Sequence, residues 1–168
     1  GARLAGDEAD GLELDYGAPA LPRTLRIGPA AAPADANARE AWAVADLRLG
    51  LPRLPASQRE QWTPQQLALD RLHAYSVKKG CYPGQEIVAR THFLGKAKRE
   101  PLLLHVPVGV DPGAEVQQSG RAMGHVASVA GGESRLALAV LPLEREDAPL
   151  EVAGVATTVE PFVEGLAR

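Results

Sequence analysis

Leu12 and Leu14 alternate with Glu13 and Asp15, and Leu25 and Ile27 alternate with Arg26 and Gly28. A period of two puts like residues on one face of a strand. Two short strands are therefore expected within residues 11–28, broken apart by Pro19 and Pro22. Residues 29–36 form an Ala/Pro linker. From Asn37 the period lengthens, and Ala41, Trp42, Ala45, Leu47 and Leu49 fall on or near one helical face until Gly50 and Pro52 stop the helix. Residues 52–62 are polar and irregular and read as a loop. A second helix is predicted to open at Thr63 and Pro64, with Thr63 as N-cap and Pro64 where a missing N–H costs nothing. Leu67, Leu69 and Leu72 supply its apolar side. A third, short helix is predicted from Pro83 to Arg90, with Glu86 near its start and Arg90 toward its end to suit the helix dipole, and Gly95 beyond it.

After Lys98 the texture changes. Residues 102–108, 114–118, 121–129, 135–141, 150–152 and 155–159 are short strand candidates, separated by turns such as Asp111-Pro112-Gly113 and Gly131-Gly132. Many short strands at this spacing predict a small antiparallel barrel. The fold class expected is α+β, with residues 1–97 ahead of a barrel over residues 98–168.

Composition sharpens this picture in three places. Aromatic residues are only 4% of the chain, so its core is expected to be Leu, Val and Ala, and Trp42 and Trp62 stand out. The single cysteine, Cys81, excludes an intrachain disulfide and a cysteine-only metal or cluster site within one chain. A lone thiol suits a reducing compartment, and the expected location is the bacterial cytoplasm. Neither a signal peptide nor a spanning apolar run of about 20 residues is visible, so no membrane association is expected. The formal charge of −3 argues against nucleic-acid coating. Its distribution is uneven: residues 78–99 carry Lys78, Lys79, Arg90, Lys96, Lys98 and Arg99 against Glu86 alone, a local +5 in a chain whose remainder is −8. Such a patch suits an anionic ligand or partner, or is a solvated face. Asp7, Glu8 and Asp10 read as a solvated or disordered acidic run.

Cys81 lies between Gly80 and Gly84, next to Lys78 and Lys79. Glycines let a backbone approach a ligand closely. Lysines and a following helix start stabilise a thiolate, which can attack an electrophile, exchange redox equivalents or ligate a shared metal centre. The alternative is that Cys81 is a small buried hydrophobe, the common fate of a free cysteine. His73 and His92 read as surface or capping residues rather than as a base for Cys81.

The run KGCYPGQE at residues 79–86, with its extension through residue 99 and the lead-in PQQLALDRLHAYSVKKGC, resembles the signature of YgfZ-type folate-binding proteins. Trp42, Asp46, Gly50 and Pro52 resemble that family's upstream tryptophan–aspartate–glycine–proline pattern. The resemblance covers the chain from about residue 12 onward. It implies part of a fold like that of the glycine-cleavage T-protein, three domains around a central pocket, the last a small antiparallel β-barrel. It further implies a tetrahydrofolate cofactor, free or as a one-carbon derivative, no permanently bound metal, and a role in assembly or repair of iron–sulfur clusters in a subset of enzymes, including one that thiolates tRNA. The partners implied are folate and iron–sulfur client enzymes or assembly proteins.

By resemblance Cys81 is the reacting residue, and Trp42, Asp46, Lys79, Gly80, Tyr82, Gly84, Gln85, Glu86 and Arg90 are the cofactor-binding positions. The chain begins at Gly1 and is expected to be the C-terminal part of a longer protein whose N-terminal portion supplies much of the pocket. It departs from the family at Ala68, where asparagine is usual, and at Pro83, where threonine is common. An accessory factor is expected rather than a classical enzyme. The alternatives are a tetrahydrofolate-dependent aminomethyltransferase, which lacks the KGCYxGQE motif, and a non-catalytic interaction module.

Overall fold

Strands β2 (Gly11–Asp15) and β3 (Thr24–Ile27) pair antiparallel, with Leu12 opposite Ile27 and Leu14 opposite Leu25. Glu13 opposes Arg26 and Asp15 opposes Thr24, so the aliphatic residues share one face and the polar ones the other. A further strand, β1 (Arg3–Asp7), adds to the outer edge of β2. The computed structural model describes residues 3–7, 11–29, 33, 35–78, 81–95 and 97–166. Of the expected acidic run, Asp7 ends β1 rather than lying disordered, while Glu8 and Asp10 fall outside the described residues.

Helix α1 (Ala36–Arg48) starts where the Asp35 carboxylate accepts the Asn37 N–H at 2.8 Å. It ends in a Schellman motif: Gly50, at φ 74°, donates to the Leu47 carbonyl at 2.9 Å, and Leu51 donates to Asp46 at 2.8 Å. A single 3₁₀ turn (Ala56–Gln58) interrupts the loop that follows.

The helix expected from Thr63 does not form. Its cap does, since Thr63 and Gln66 exchange hydrogen bonds in a capping box. However, residues 64–73 are a series of turns, with Ala68 at φ 48° and His73 at φ 50°. Their backbone bonds mix three-, four- and five-residue spans, as when Ala68 donates to Gln65, Leu67 to Thr63 and Leu69 to Pro64. Tertiary contacts override helix propensity here. Leu67 is buried in the core, the Gln65 amide donates to the Val88 carbonyl at 2.9 Å, and the Arg71 guanidinium bonds the Leu49 carbonyl. Helix α2 (Gln85–Leu94) begins two residues later than expected. Gly84, at φ 82°, is its N-cap, and Pro83 lies outside it.

The remaining strands, β4 (Arg99–Val106), β5 (Glu115–Gln118), β6 (Arg121–Ala130), β7 (Arg135–Pro142), β8 (Leu150–Val152) and β9 (Val155–Glu160), close a barrel in the order β4-β7-β6-β5-β8-β9. The chain is thus α+β with a closed six-stranded antiparallel barrel. Strand β7 is apolar along nearly its whole length because both its faces are buried. Ala137, Ala139 and Leu141 pack with Leu104, Val116, Val126 and Val152 in one cluster, the barrel interior. Leu136, Leu138 and Val140 point the other way and pack with Leu103, Ala127, Leu47 and Leu67. This second core joins the barrel's outer wall to α1 and to the turns at residues 64–73, so the two regions of the chain share buried surface. Burying one leucine side chain contributes about 1.5–3 kcal/mol, which makes the outer core a substantial attachment.

Candidate functional site

Two groups of the expected site residues are found, each with its own surroundings. The first is built on α1. Asp46 is buried, and both its carboxylate oxygens are engaged, one by Arg23 at 2.6 Å and the other by Arg53 at 2.5 Å. The Arg23 side chain is only 8% exposed. Its Nε donates to the Tyr16 carbonyl at 2.8 Å, and its guanidinium carbon stands 4.3 Å from the centre of the Trp42 ring. At that distance a cation over an indole face is attracted by the ring quadrupole. Tyr16 completes the group, its ring 6.2 Å from Trp42 and tilted by 37°. Arg53 reaches outward, with 51% of its side chain exposed, while its backbone N–H bonds Ser128 inside the barrel wall at 3.0 Å.

The second group surrounds Cys81, whose thiol is exposed. The loop that carries it is closed at its base: the Tyr82 hydroxyl donates to the Ser76 carbonyl at 3.2 Å, and the Lys78 N–H donates to Ser76 Oγ at 3.2 Å. Tyr82 therefore ties the loop. Beside it, Tyr75 is half-buried, and its hydroxyl is raised above the ordinary 10.0, first by burial, then by the Asp70 carboxylate and then by Tyr82.

Gly84 caps α2 in the left-handed region, and the Gln85 N–H donates to the Tyr82 carbonyl at 3.1 Å. Because α2 starts at Gln85, Cys81 lies about a turn of sequence ahead of the helix, beyond the first turn over which a helix end exerts its field. Glu86 and Arg90 are exposed on α2 and form an i,i+4 pair at 3.9 Å. Lys79 and Gly80 lie outside the described residues.

The expected residues therefore divide. Trp42 and Asp46 belong to a cation-centred group on α1, and Cys81, Tyr82, Gly84, Gln85, Glu86 and Arg90 to an exposed loop and helix. A cavity of about 500 Å³ runs along α1 from Asn37 to Arg48, floored by Ala41, Val44 and Ala45 and bordered by Gly131 and Gly132. Among the described residues no cluster of three or more His, Cys, Asp or Glu is placed to hold a metal ion, and no helix is long and apolar enough to cross a membrane.

Sequence reasoning missed Arg23, Arg53 and Tyr16. Arg23 and Asp46 stand far apart in the chain, so neither periodicity nor a short motif joins them. No local signal marked Arg23, which is one of two arginines three residues apart after Pro22. No protein-family model matches the chain.

Proposed function

We propose that this chain is part of a YgfZ-type, T-protein-like folate-binding protein that supports assembly or repair of iron–sulfur clusters, with the Cys81 thiol as its reacting group. The observation that carries the reading is the exposure of Cys81. Free cysteines are usually buried as small hydrophobes, and this one stands in solvent inside the KGCYPGQE motif. The closed barrel that follows it agrees with what the resemblance implies for the last domain.

The residues on α1 fit a folate in part. Trp42 is half-buried and carries Arg23 over its ring, and a flat indole suits stacking on a pterin. The exposed Arg53 guanidinium suits the carboxylates of a glutamate tail. Both Asp46 oxygens are engaged, and its part is to hold Arg23 and Arg53 in place. When bound, tetrahydrofolate would supply a carrier for one-carbon units.

Calorimetric titration with tetrahydrofolate, beside Trp42→Ala, tests the cofactor. Loss of at least about fivefold in affinity is expected if the indole stacks, since base–aromatic stacking is worth about 1–3 kcal/mol in nucleotide sites. Complementation of a deletion strain by Cys81→Ala tests the thiol: the variant should fold and fail. Normal complementation by the alanine variant would remove Cys81 from the mechanism.

A further inference from the structure

We propose that a cavity on the outer wall of the barrel, between the 3₁₀ turn and β6, binds a small uncharged polyol of the size of one sugar ring. The cavity measures about 240 Å³ and is lined by Ser57, Gln58, Gln61, Trp62, Gly113 and His125. None of these belongs to either group of site residues above. Val126 faces the barrel interior, so its neighbour His125 faces outward, where it is exposed. The 3₁₀ turn brings in Ser57 and Gln58, and Trp62 packs on the outer core. Gln58 carries the argument, because it is only 6% exposed. The Trp62 indole N–H donates to Gln58 Oε1 at 3.1 Å. An indole nitrogen can only donate, so the carboxamide oxygen must face it and Nε2 must point away. That Nε2 has no hydrogen-bond partner among the described residues, and it is not sealed off but belongs to the cavity lining. Gly113 leaves room beside it, since a β-carbon there would lie 3.3 Å from Nε2. Buried side-chain polar atoms are normally paired, so this oriented donor is presented to an acceptor within the cavity.

The lining defines the ligand. No Lys, Arg, Asp or Glu is among its residues, so nothing in it balances a formal charge on a ligand. Around the Gln58 donor, Ser57, Gln61 and His125 offer groups able to donate or accept. Hydroxyl groups answer such a set, since each of them also does both. The Trp62 indole supplies apolar surface for the C–H face of a ring. At about 30 Å³ per water the volume equals roughly eight waters, room for one ring. The binding does not depend on folate or on Cys81, and its test has no folate or cluster readout.

Proton–nitrogen correlation spectra of the labelled protein, titrated with D-glucose, D-ribose and myo-inositol, read the site directly. At least one of these polyols should shift the Gln58 side-chain amide and the Trp62 indole N–H saturably, with the Trp42 indole N–H unmoved. Gln58→Glu keeps an acceptor for Trp62 and removes the donor, so the affinity read from Trp62 should fall about fivefold, the worth of one hydrogen bond. His125→Ala changes an exposed strand position and should weaken binding as well, which keeps the test decisive should a buried carboxylate disturb the turn. Nicotinamide, a flat carboxamide of similar size, should leave both signals in place. A response to nicotinamide as strong as to any polyol would overturn the proposal. So would the absence of a saturable shift with all three polyols, equal movement of Trp42, or an affinity indifferent to both variants.

Discussion

Replacing Asp46 by alanine leaves Arg23 as a buried cation without its carboxylate. The Arg23–Asp46 bond is 2.6 Å long, and the two side chains are only 8% and 10% exposed. Breaking a buried pair from one side costs about 3–5 kcal/mol, because the remaining charge cannot be hydrated where it stands. For a domain of this size that corresponds to a fall in melting temperature of roughly 10 °C. Arg53 shares the same carboxylate, but Arg53→Ala leaves Asp46 paired with Arg23 at 2.6 Å, so it should cost clearly less than Asp46→Ala.

A third variant separates the charge argument from simple packing. Arg23→Met combined with Asp46→Leu removes both charges and keeps apolar bulk over Trp42, and it should be markedly more stable than Asp46→Ala alone. Urea unfolding followed by tryptophan fluorescence and far-ultraviolet circular dichroism measures all three. Equal and small losses for Asp46→Ala and Arg53→Ala would refute the reasoning, as would a double variant worse than the single one.

Ala68→Gly should stabilise the chain by about 1 kcal/mol, seen as a higher urea midpoint, because Ala68 sits at φ 48° where a β-carbon is strained. Tyr75 holds its proton more tightly when folded, so stability is full below pH 10.0 and falls as pH rises from there toward the folded value. Tyr75→Phe should flatten that fall in chemical denaturation between neutral and alkaline pH. Gly84→Ala should fray the first turn of α2 at a cost of about 1 kcal/mol through the backbone alone, since a β-carbon there meets nothing within 4 Å. Gly84→Asn, which tolerates the left-handed region, should keep α2 amides protected in hydrogen exchange.

How far the sequence could be read depended on whether local pattern or distant contact decides the structure. The barrel strands were legible because each short apolar run is bounded by glycine or proline turns, and even β7, apolar on both faces, is delimited by Gly131-Gly132 and by the turn after Pro142. Helix α1 was legible from its alanines and its Gly50 stop. The turns at residues 64–73 were not: the capping box promises a helix, and only the demands of Leu67, Gln65 and Arg71 on distant partners break it. Strand β1 was illegible for a different reason. Its sequence RLAGD alternates weakly and is paired only because β2 offers an edge. Of the candidate site, the motif around Cys81 was visible and the exposure of its thiol was not. Trp42 and Asp46 were visible too, but the arginine between them was not.

The two groups of site residues, though separate in contact, hang from one support. Leu47, Ala43 and Val44 fix α1 on the outer wall of the barrel, and the adjoining side of that helix presents Trp42 and Asp46 to Arg23. Leu67 and Leu69 fix the turns at residues 64–73 on the same wall, and from them Gln65 reaches the Val88 carbonyl of α2. Arg71 ties those turns back to the end of α1 through Leu49, stacks 4.9 Å from the Phe162 ring and pairs with Glu164 at 3.1 Å. Val163 in turn donates to the Arg48 carbonyl at 2.8 Å. The segment after the barrel thus ties the end of α1 to the turns at residues 64–73. A change at Leu138 or Val140, far from either group in sequence, disturbs both supports at once, whereas one at Ala139, which faces the barrel interior, does not touch them directly. The outward side of β7 is the part of the barrel on which the site depends. That dependence gives the barrel a structural reason to be covalently continuous with the candidate site residues.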